Sequence, residues 1–237
     1  MSEWRVKRFW SEVAASPVEG GLTITLDGRP VRTPAKAALI LPTRALAEAI
    51  AAEWREVEEE VRPDAMPLCR AANSAIDKVA PAHGAVVAAL AAYGESDLLC
   101  YRAEGPAGLI AAEAAAWDPW LTWAETALDA PLTPGSGILP VAQPRSSIER
   151  LSARLVQMES FKLTAVHDLV TLSGSLVLGL AVADRALDAA EAWSASRVDE
   201  EYQAEQWGRD ADAEAAADAR RRAFLAAARL LDLLDAD

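Results

Sequence analysis

Cysteine and histidine are almost absent from this chain, which contains two of each in 237 residues. Cys69 and Cys100 lie 31 positions apart and lack the close paired spacing of zinc ligands, so we interpret them as two reduced thiols. His83 and His167 have no serine or cysteine neighbour in a recognisable nucleophile elbow. The sequence therefore predicts neither a metal site nor a hydrolytic triad.

Phosphate-binding loops and serine-nucleophile motifs are missing as well. No glycine-rich segment ends in Lys-Ser or Lys-Thr, which gives nucleotide hydrolysis no support. Neither Gly135-Ser136-Gly137 nor Ser173-Gly174-Ser175 has the Gly-x-Ser-x-Gly pattern of a hydrolase. We therefore expect no catalytic residue, no bound cofactor and no enzymatic activity.

Basic charge is also in short supply. The chain has 23 lysines and arginines against 36 aspartates and glutamates, for a net charge of −13. This balance argues against nucleic-acid binding, which needs a surplus of cations to displace phosphate counterions. Residues 199–218 alone contribute −7, since eight acidic residues face a single base, Arg209. A basic or arginine-bearing protein partner fits this distribution.

The sequence has no long apolar run. The longest, residues 174–183, is about half of what a bilayer-spanning helix needs, so we expect a buried helix and no membrane insertion. The first residues leave no room for the apolar core of a signal peptide. We expect a protein of the bacterial cytoplasm, or a mature organellar form from which a targeting segment has been removed.

Strand signals are concentrated in the first 42 residues. We predict a strand over residues 6–13 and a hairpin of residues 22–26 and 29–33, because Asp27-Gly28 tolerates the positive φ angles of a tight turn. A short strand over residues 38–41 would end at Pro42. Residues 1–42 are therefore predicted to form a small β-rich domain.

From residue 43 onward the apolar spacing becomes helical. Thr43 is a suitable N-cap for a helix that we expect to end at Pro63, and a second helix would run to Val79, with Asn73, Ser74 and Asp77 facing solvent. A Pro/Gly-rich connection at residues 130–147 leads to helices near 147–158, 160–172, 174–184 and 188–195 and a terminal pair broken near Gly208. The fold class is α+β: a small β-rich N-terminal domain followed by a larger α-helical domain, residues 43–237, of seven or eight helices.

Four of the eight tryptophans stand out by their position in the sequence. Trp117, Trp120 and Trp123 lie three apart on one predicted helix, and we interpret them as core anchors of an alanine-rich domain. Trp207 lies inside the acidic stretch, where an amphipathic ring suits an interface. Two interpretations of that stretch stay open: a solvated helix face, or a docking surface for guanidinium groups with Trp207 at its centre.

Several short motifs, in this order, resemble the ATP-twelve family, the assembly chaperones for the soluble head of ATP synthase. The chain is similar to an alphaproteobacterial-type member over nearly its whole length. The motifs are Lys7-Arg8-Phe9-Trp10, Leu26-Asp27-Gly28-Arg29-Pro30, residues 46–54, Met66-Pro67-Leu68, Asn73-Ser74-Ala75-Ile76-Asp77, residues 97–102, Trp117-Asp118-Pro119, Gly174-Ser175-Leu176, Asp199-Glu200-Glu201-Tyr202-Gln203 and Trp207-Gly208.

This resemblance implies a chaperone without ATPase activity that binds the free alpha subunit and shields its beta-facing surface until the hexamer forms. It implies a β-rich N-terminal domain, a helical C-terminal domain, and a mitochondrial-matrix location for eukaryotic relatives. We expect the free chaperone to be a monomer. The resemblance places partner binding on acidic residues late in the helical domain, and the predicted binding residues are Glu200, Glu201, Gln203, Trp207, Asp210 and Asp212.

An enzyme is the alternative to a chaperone. It would bind a small molecule in a cleft between the β and α domains, and its only sequence support is the polar cluster of Asn73, Ser74 and Asp77.

Overall fold

The computed structural model describes residues 7–137, 139 and 141–236. The chain divides into two compact units. One comprises Met1–His83, Glu159–Ala165 and Arg229–Asp237, and the other comprises Gly84–Met158 and Val166–Ala228. An N-terminal sheet followed by helices confirms the predicted α+β class. The predicted domain division between residues 42 and 43 stays a prediction.

The N-terminal sheet has three antiparallel strands in the order β1-β2-β3. Strand β1 is Val13–Val18, β2 is Gly21–Leu26 and β3 is Arg29–Pro30. The register pairs Val13 with Leu26 and Val18 with Gly21. Ile24 and Leu26 of β2 are buried, so the apolar positions of the central strand contribute to the core of this unit.

The predicted Asp-Gly turn joins β2 and β3. Asp27 and Gly28 have φ angles of 48° and 77°, the left-handed region that such a turn requires. The Asp27 carboxylate accepts hydrogen bonds from the backbone N–H groups of Glu12 at 2.8 Å and Ser11 at 3.0 Å. These bonds favour the ionised form and lower the pKa of Asp27.

Two strand predictions were wrong. The first strand begins at Val13, where a strand over residues 6–13 was expected; Val6 lies outside the described residues, and Lys7 forms only an isolated bridge to Glu60. Residues 38–41 form no strand, since Ala38 and Leu41 make single bridges. Strand β3 also stops at Pro30, short of the predicted residue 33.

The described residues contain ten α-helices, more than the seven or eight predicted. They are α1 Arg44–Arg55, α2 Pro67–Ser74, α3 His83–Glu95, α4 Ala107–Leu128, α5 Arg145–Val156, α6 Ser160–Ser173, α7 Leu176–Ala183, α8 Ala189–Ala195, α9 Val198–Trp207 and α10 Ala211–Asp235. Within the Pro/Gly-rich connection, β5 Gly135–Ser136 pairs in parallel with β4 Tyr101–Arg102. Helices α5 to α10 follow the predicted segments closely.

Helix α1 begins as predicted and ends early. The Thr43 hydroxyl oxygen accepts a hydrogen bond from the Leu46 N–H at 3.2 Å, which confirms the N-cap. The helix stops at Arg55 and does not reach Pro63. The chain start explains the difference, because the Arg8 N–H donates to the Glu59 carbonyl at 2.8 Å and holds the following segment out of the helix.

Two carboxylates, the half-buried Glu53 and the buried Asp97, join motifs that are distant in the sequence. Glu53 accepts the N–H groups of Leu68 and Cys69, both at 2.8 Å, and so caps α2; burial raises its pKa. Asp97 accepts the N–H of Val177 at 3.0 Å at the start of α7 and the N–H of Leu99 at 3.1 Å. Asp97 is fully buried, and this burial raises its pKa to about 6.

Of the three tryptophans on α4, one is a core anchor. Trp117 is 1% exposed, and its indole N–H donates to the Ala195 carbonyl at 2.7 Å. Trp120 and Trp123 are only half-buried, so the prediction of three core anchors was wrong for these two. Pro119 lies inside the helix between Trp117 and Trp120.

We predict that Trp117→Phe destabilises the protein by about 2 kcal/mol. The smaller ring leaves the buried Ala195 carbonyl without its donor and opens unfilled volume. Urea unfolding followed by circular dichroism measures the loss, and Trp120→Phe on the same helix is the matched control, with an expected cost below about 1 kcal/mol because its side chain is half-exposed. Equal costs for the two variants would contradict this account.

By length and composition alone, one stretch would suffice to cross a membrane, namely Pro67–Cys100. A core helix of a soluble protein meets the same criterion. In this fold the stretch is divided into α2, a π-helical segment Ala75–Val79, a short 3₁₀ segment containing Pro81, α3 and a second 3₁₀ segment, Leu98–Cys100. Helix α3 buries Val87, Leu90, Ala91 and Gly94 on one side.

Candidate partner-binding site

The acidic stretch forms a helical hairpin that we call the acidic arm, residues 198–218. Helix α9 supplies its first half, Gly208 with a φ of 93° makes the corner, and the first turns of α10 supply the second half. Helix α9 has no buried residue, and residues 211–218 of α10 are exposed apart from the half-buried Ala217. The arm therefore presents most of its surface to solvent.

Local charge explains why such an exposed segment is helical. Asp199, Glu200 and Glu201 occupy the first turn of α9, where carboxylates offset the positive end of the helix dipole. Arg197 donates to Glu200 at 2.6 Å across that turn. At the start of α10, the Asp210 carboxylate accepts the Ala213 N–H at 2.8 Å and acts as an N-terminal cap.

The structure brings all six predicted binding residues to the surface of this arm. Trp207 is 80% exposed at the corner. The other five are exposed as well: Glu200, Glu201, Gln203, Asp210 and Asp212. Their assignment to partner binding stays a prediction, and Asp210 additionally has the structural role of capping α10.

A guanidinium group already lies between carboxylates of the two helices. Arg209 contacts Glu201 of α9 at 2.8 Å and Glu214 of α10 at 3.2 Å. The hydrogen bonds to Glu214 and Glu201 raise the pKa of Arg209, so the group stays charged. This contact within the chain demonstrates the chemistry that the arm accepts, which is a planar cation held by separate carboxylates.

Helix α9 rests on α4 through its inner face. Tyr202 lies against Gly108, where a Cβ atom would come within 3.0 Å of the Tyr202 hydroxyl. One turn earlier, Asp199 lies beside the buried Glu113 of α4. Glu113 was not among the predicted site residues, although its spacing of four from both Leu109 and Trp117 places it on the apolar side of α4.

The polar cluster that supported an enzyme has a structural role. Asp77 accepts hydrogen bonds from the Thr33 hydroxyl at 2.6 Å and the Ala35 N–H at 3.0 Å, so the expectation that it faces solvent freely was wrong.

Burial raises the pKa of both Cys69 and Cys100 to about 12, which keeps the two thiols protonated. Among residues 7–137, 139 and 141–236, no group of three or more His, Cys, Asp or Glu side chains could hold a metal ion.

Five glutamates lie around a concave surface in the other unit. A cavity of about 550 Å³ is lined by Glu53, Glu56, Glu58, Glu59 and Glu60 together with Arg62, Met66 and smaller apolar residues. Glu58 and Glu59 are exposed neighbours in the sequence, like Glu200 and Glu201. They offer a matched pair for testing whether partner binding depends on the charge of the arm or on the total charge of the protein.

Known proteins match this chain in sequence and in structure. The family model described as ATP12 chaperone protein matches residues 7–125. The crystal structure of Atp12 from Paracoccus denitrificans is 51% identical and covers 98% of this chain and 100% of its own, with a TM-score of 0.94. An aspartate-to-lysine mutant of the same protein gives the same values. The Atu1473 protein of Agrobacterium tumefaciens is 40% identical over 98% of this chain and 87% of its own, with a TM-score of 0.93.

Proposed function

Because the chain belongs to the ATP12 chaperone family, we propose that it serves the assembly of ATP synthase by holding the free alpha subunit of the enzyme's soluble head. The bound chaperone shields the beta-facing surface of that subunit until the hexamer assembles. Such a surface is apolar and would otherwise associate wrongly. The partner and the shielding step come from the motifs that resemble this family.

One observation carries the choice of binding surface: α9 is a ten-residue helix that buries none of its residues. Short helices in proteins normally owe most of their stability to packing of an apolar face. A helix of this length that lies exposed, with a tryptophan 80% exposed at its end, is suited to gain its packing from a partner. The acidic arm is therefore the surface that we assign to the alpha subunit.

The chemistry of the arm indicates how it would bind. Glu200 and Glu201 on α9, which pair with Arg197 and Arg209 in the free chain, and Asp212 on α10 supply carboxylates, and Trp207 lies between them in the sequence as an exposed apolar group. Carboxylates bind guanidinium groups strongly when an apolar contact excludes water beside them. We propose that arginines of the alpha subunit pair with these carboxylates, that Gln203 and Asp210 lie at the edge of the contact, and that the long-range negative field speeds encounter.

We also propose that the free chaperone is a monomer in the bacterial cytoplasm. Binding through one exposed arm needs only one chaperone molecule.

Co-expression tests this function. The alpha subunit is produced alone, with this chaperone, or with an unrelated acidic protein of similar size, and its soluble fraction is measured. The chaperone is expected to keep most of the subunit soluble and to co-purify with it, while the unrelated protein is not. A subunit that aggregates equally in all three cases would overturn the proposed function.

A further inference from the structure

Helix α4 carries a glutamate where its neighbours predict an apolar residue. Leu109, Glu113 and Trp117 follow one another at a spacing of four, and all three are buried. Glu113 is 1% exposed. Its two carboxylate oxygens accept the Ala103 N–H at 2.9 and 3.2 Å. A carboxyl group so deeply buried needs further partners, because its charged form is costly away from water.

The remaining partner of Glu113 is another carboxyl group. Asp199, in the first turn of α9, lies beside it where α9 packs against α4. The Asp199 Oδ1 atom is buried, and none of the described residues donates an N–H or O–H to it. Two carboxylates can share such a contact only when one of them carries a proton. The proton supplies the donor that the Asp199 oxygen otherwise lacks.

The surrounding charged groups are engaged elsewhere. Arg102 donates to Asp118 at 2.7 Å and to the Leu99 carbonyl at 2.9 Å, and Arg197 pairs with Glu200 at 2.6 Å. The titratable and charged groups on the elements next to the pair are Asp97 and Cys100 of the 3₁₀ segment, Arg102 of β4, Glu104 after it, Asp118 of α4, and Arg197, Glu200 and Tyr202 at α9. No ion pair joins a described cation to Glu113 or Asp199 within 4.0 Å.

We propose that Glu113 is a positioning residue for the arm: it shares one proton with Asp199 and so holds the first turn of α9 on α4, which makes the placement of the arm dependent on pH. The importance of this placement for binding the alpha subunit rests on the proposed function. The shared proton does not depend on that function.

The direction of the pH dependence follows from the environment of Glu113. Burial raises its pKa most, the Ala103 N–H lowers it, Asp199 raises it and Arg102 lowers it, and the net shift is upward from 4.5. A carboxyl group whose pKa is higher in the folded state stabilises that state at low pH, and this contribution is lost as the pH rises through the folded value. Above it, two ionised carboxylates repel each other and α9 loosens at its first turn.

Amide hydrogen exchange of the free chaperone tests this proposal, with millisecond labelling read by mass spectrometry. In the wild type, protection of α9 corrected for intrinsic exchange is expected to fall about tenfold as the pH rises from 4.5, the ordinary pKa of a glutamate, to 8.0, relative to α5 outside the arm. In the Glu113→Gln variant, the protection of α9 should change less than twofold over the same pH range, because the glutamine amide donates to Asp199 and does not titrate. Glu113→Leu should show low protection at both pH values.

The proposal is overturned by a Glu113→Gln variant that follows the wild-type pH profile, or by a wild type without pH dependence in α9. Should Glu113→Leu not fold, the wild type and Glu113→Gln still decide the question. No partner is present in this experiment, so its outcome is separate from that of the co-expression test.

Discussion

A chaperone carrying Glu200→Lys and Glu201→Lys is expected to bind the alpha subunit at least a hundredfold more weakly than the wild type. Both side chains are exposed on α9, so the change converts attraction for arginines of the partner into repulsion without disturbing a core. Opposing like charges across an interface costs several kcal/mol, and about 2.7 kcal/mol corresponds to a hundredfold change in affinity. Titration of the purified subunit, with binding read by calorimetry, measures the loss.

The control for this change is Glu58→Lys with Glu59→Lys. It alters the total charge identically, at two adjacent exposed glutamates outside the arm. We expect its affinity to stay within about threefold of the wild type, since an exposed charge that does not contact the partner acts only through a field that salt screens. Both variants should retain the wild-type circular dichroism. Equal weakening by the two would indicate a general charge effect, and loss in the control alone would move the binding site to the glutamate-lined cavity.

Asp97→Ala is expected to cost about 4 kcal/mol of unfolding free energy at pH 7.5, the largest stability effect that we predict. The Val177 and Leu99 N–H groups lose their acceptor in a fully buried place, and each unsatisfied group costs about 1–3 kcal/mol. Helix α7 also loses its carboxylate at the positive end of the helix dipole. Urea unfolding measures this, and Asp64→Ala, at an exposed carboxylate, is expected to cost less than about 0.5 kcal/mol.

The cost of Asp97→Ala should grow as the pH falls. Burial raises the folded-state pKa of Asp97 from 3.8 to about 6, so its protonated form stabilises the wild type at low pH, and this stability is lost as the pH rises through 6. The alanine variant lacks this dependence. Between pH 7.5 and 5.0 the difference between the two proteins is expected to widen by about 1.4 kcal/mol. A difference that narrows toward pH 5.0 would contradict the raised pKa.

The C-terminal helices were predictable because residues close to each helix end determine where the helix begins or ends. Ser175 and Asp188 accept N–H groups at the starts of α7 and α8, and Gly208 ends α9 in a conformation that favours glycine. These signals lie within four residues of the boundary that they set. The same is true of the Asp27-Gly28 turn and of Thr43.

The errors near the N-terminus have long-range causes. Strand β1 contains Pro17, and it is an edge strand, where the missing N–H of a proline is tolerated. The apolar spacing of α1 continues to Val61, but the pairing of Arg8 with the segment around Glu59 ends the helix at Arg55. Contacts across some 50 residues leave no trace in local periodicity.

The candidate site was predictable in part. Its acidity and Trp207 stand out in the sequence, and the resemblance to the family pointed to the same stretch. The chain belongs to a family of chaperones, and this confirms the prediction that it is not an enzyme. That α9 has no buried residue, and that Asp199 lies beside Glu113, 86 positions earlier, could be seen only in the fold. The only sequence signal of that contact was the position of Glu113, four residues from both Leu109 and Trp117 on the apolar side of an alanine-rich helix.

Amide hydrogen exchange with and without a stoichiometric amount of the purified alpha subunit tests the central claim most directly. The account predicts that protection on binding is concentrated in peptides covering α9 and the first turns of α10, by at least tenfold, and that the Glu200→Lys/Glu201→Lys variant shows none. Protection confined to other parts of the chain, with exchange in residues 198–218 unchanged in a demonstrably formed complex, would contradict it.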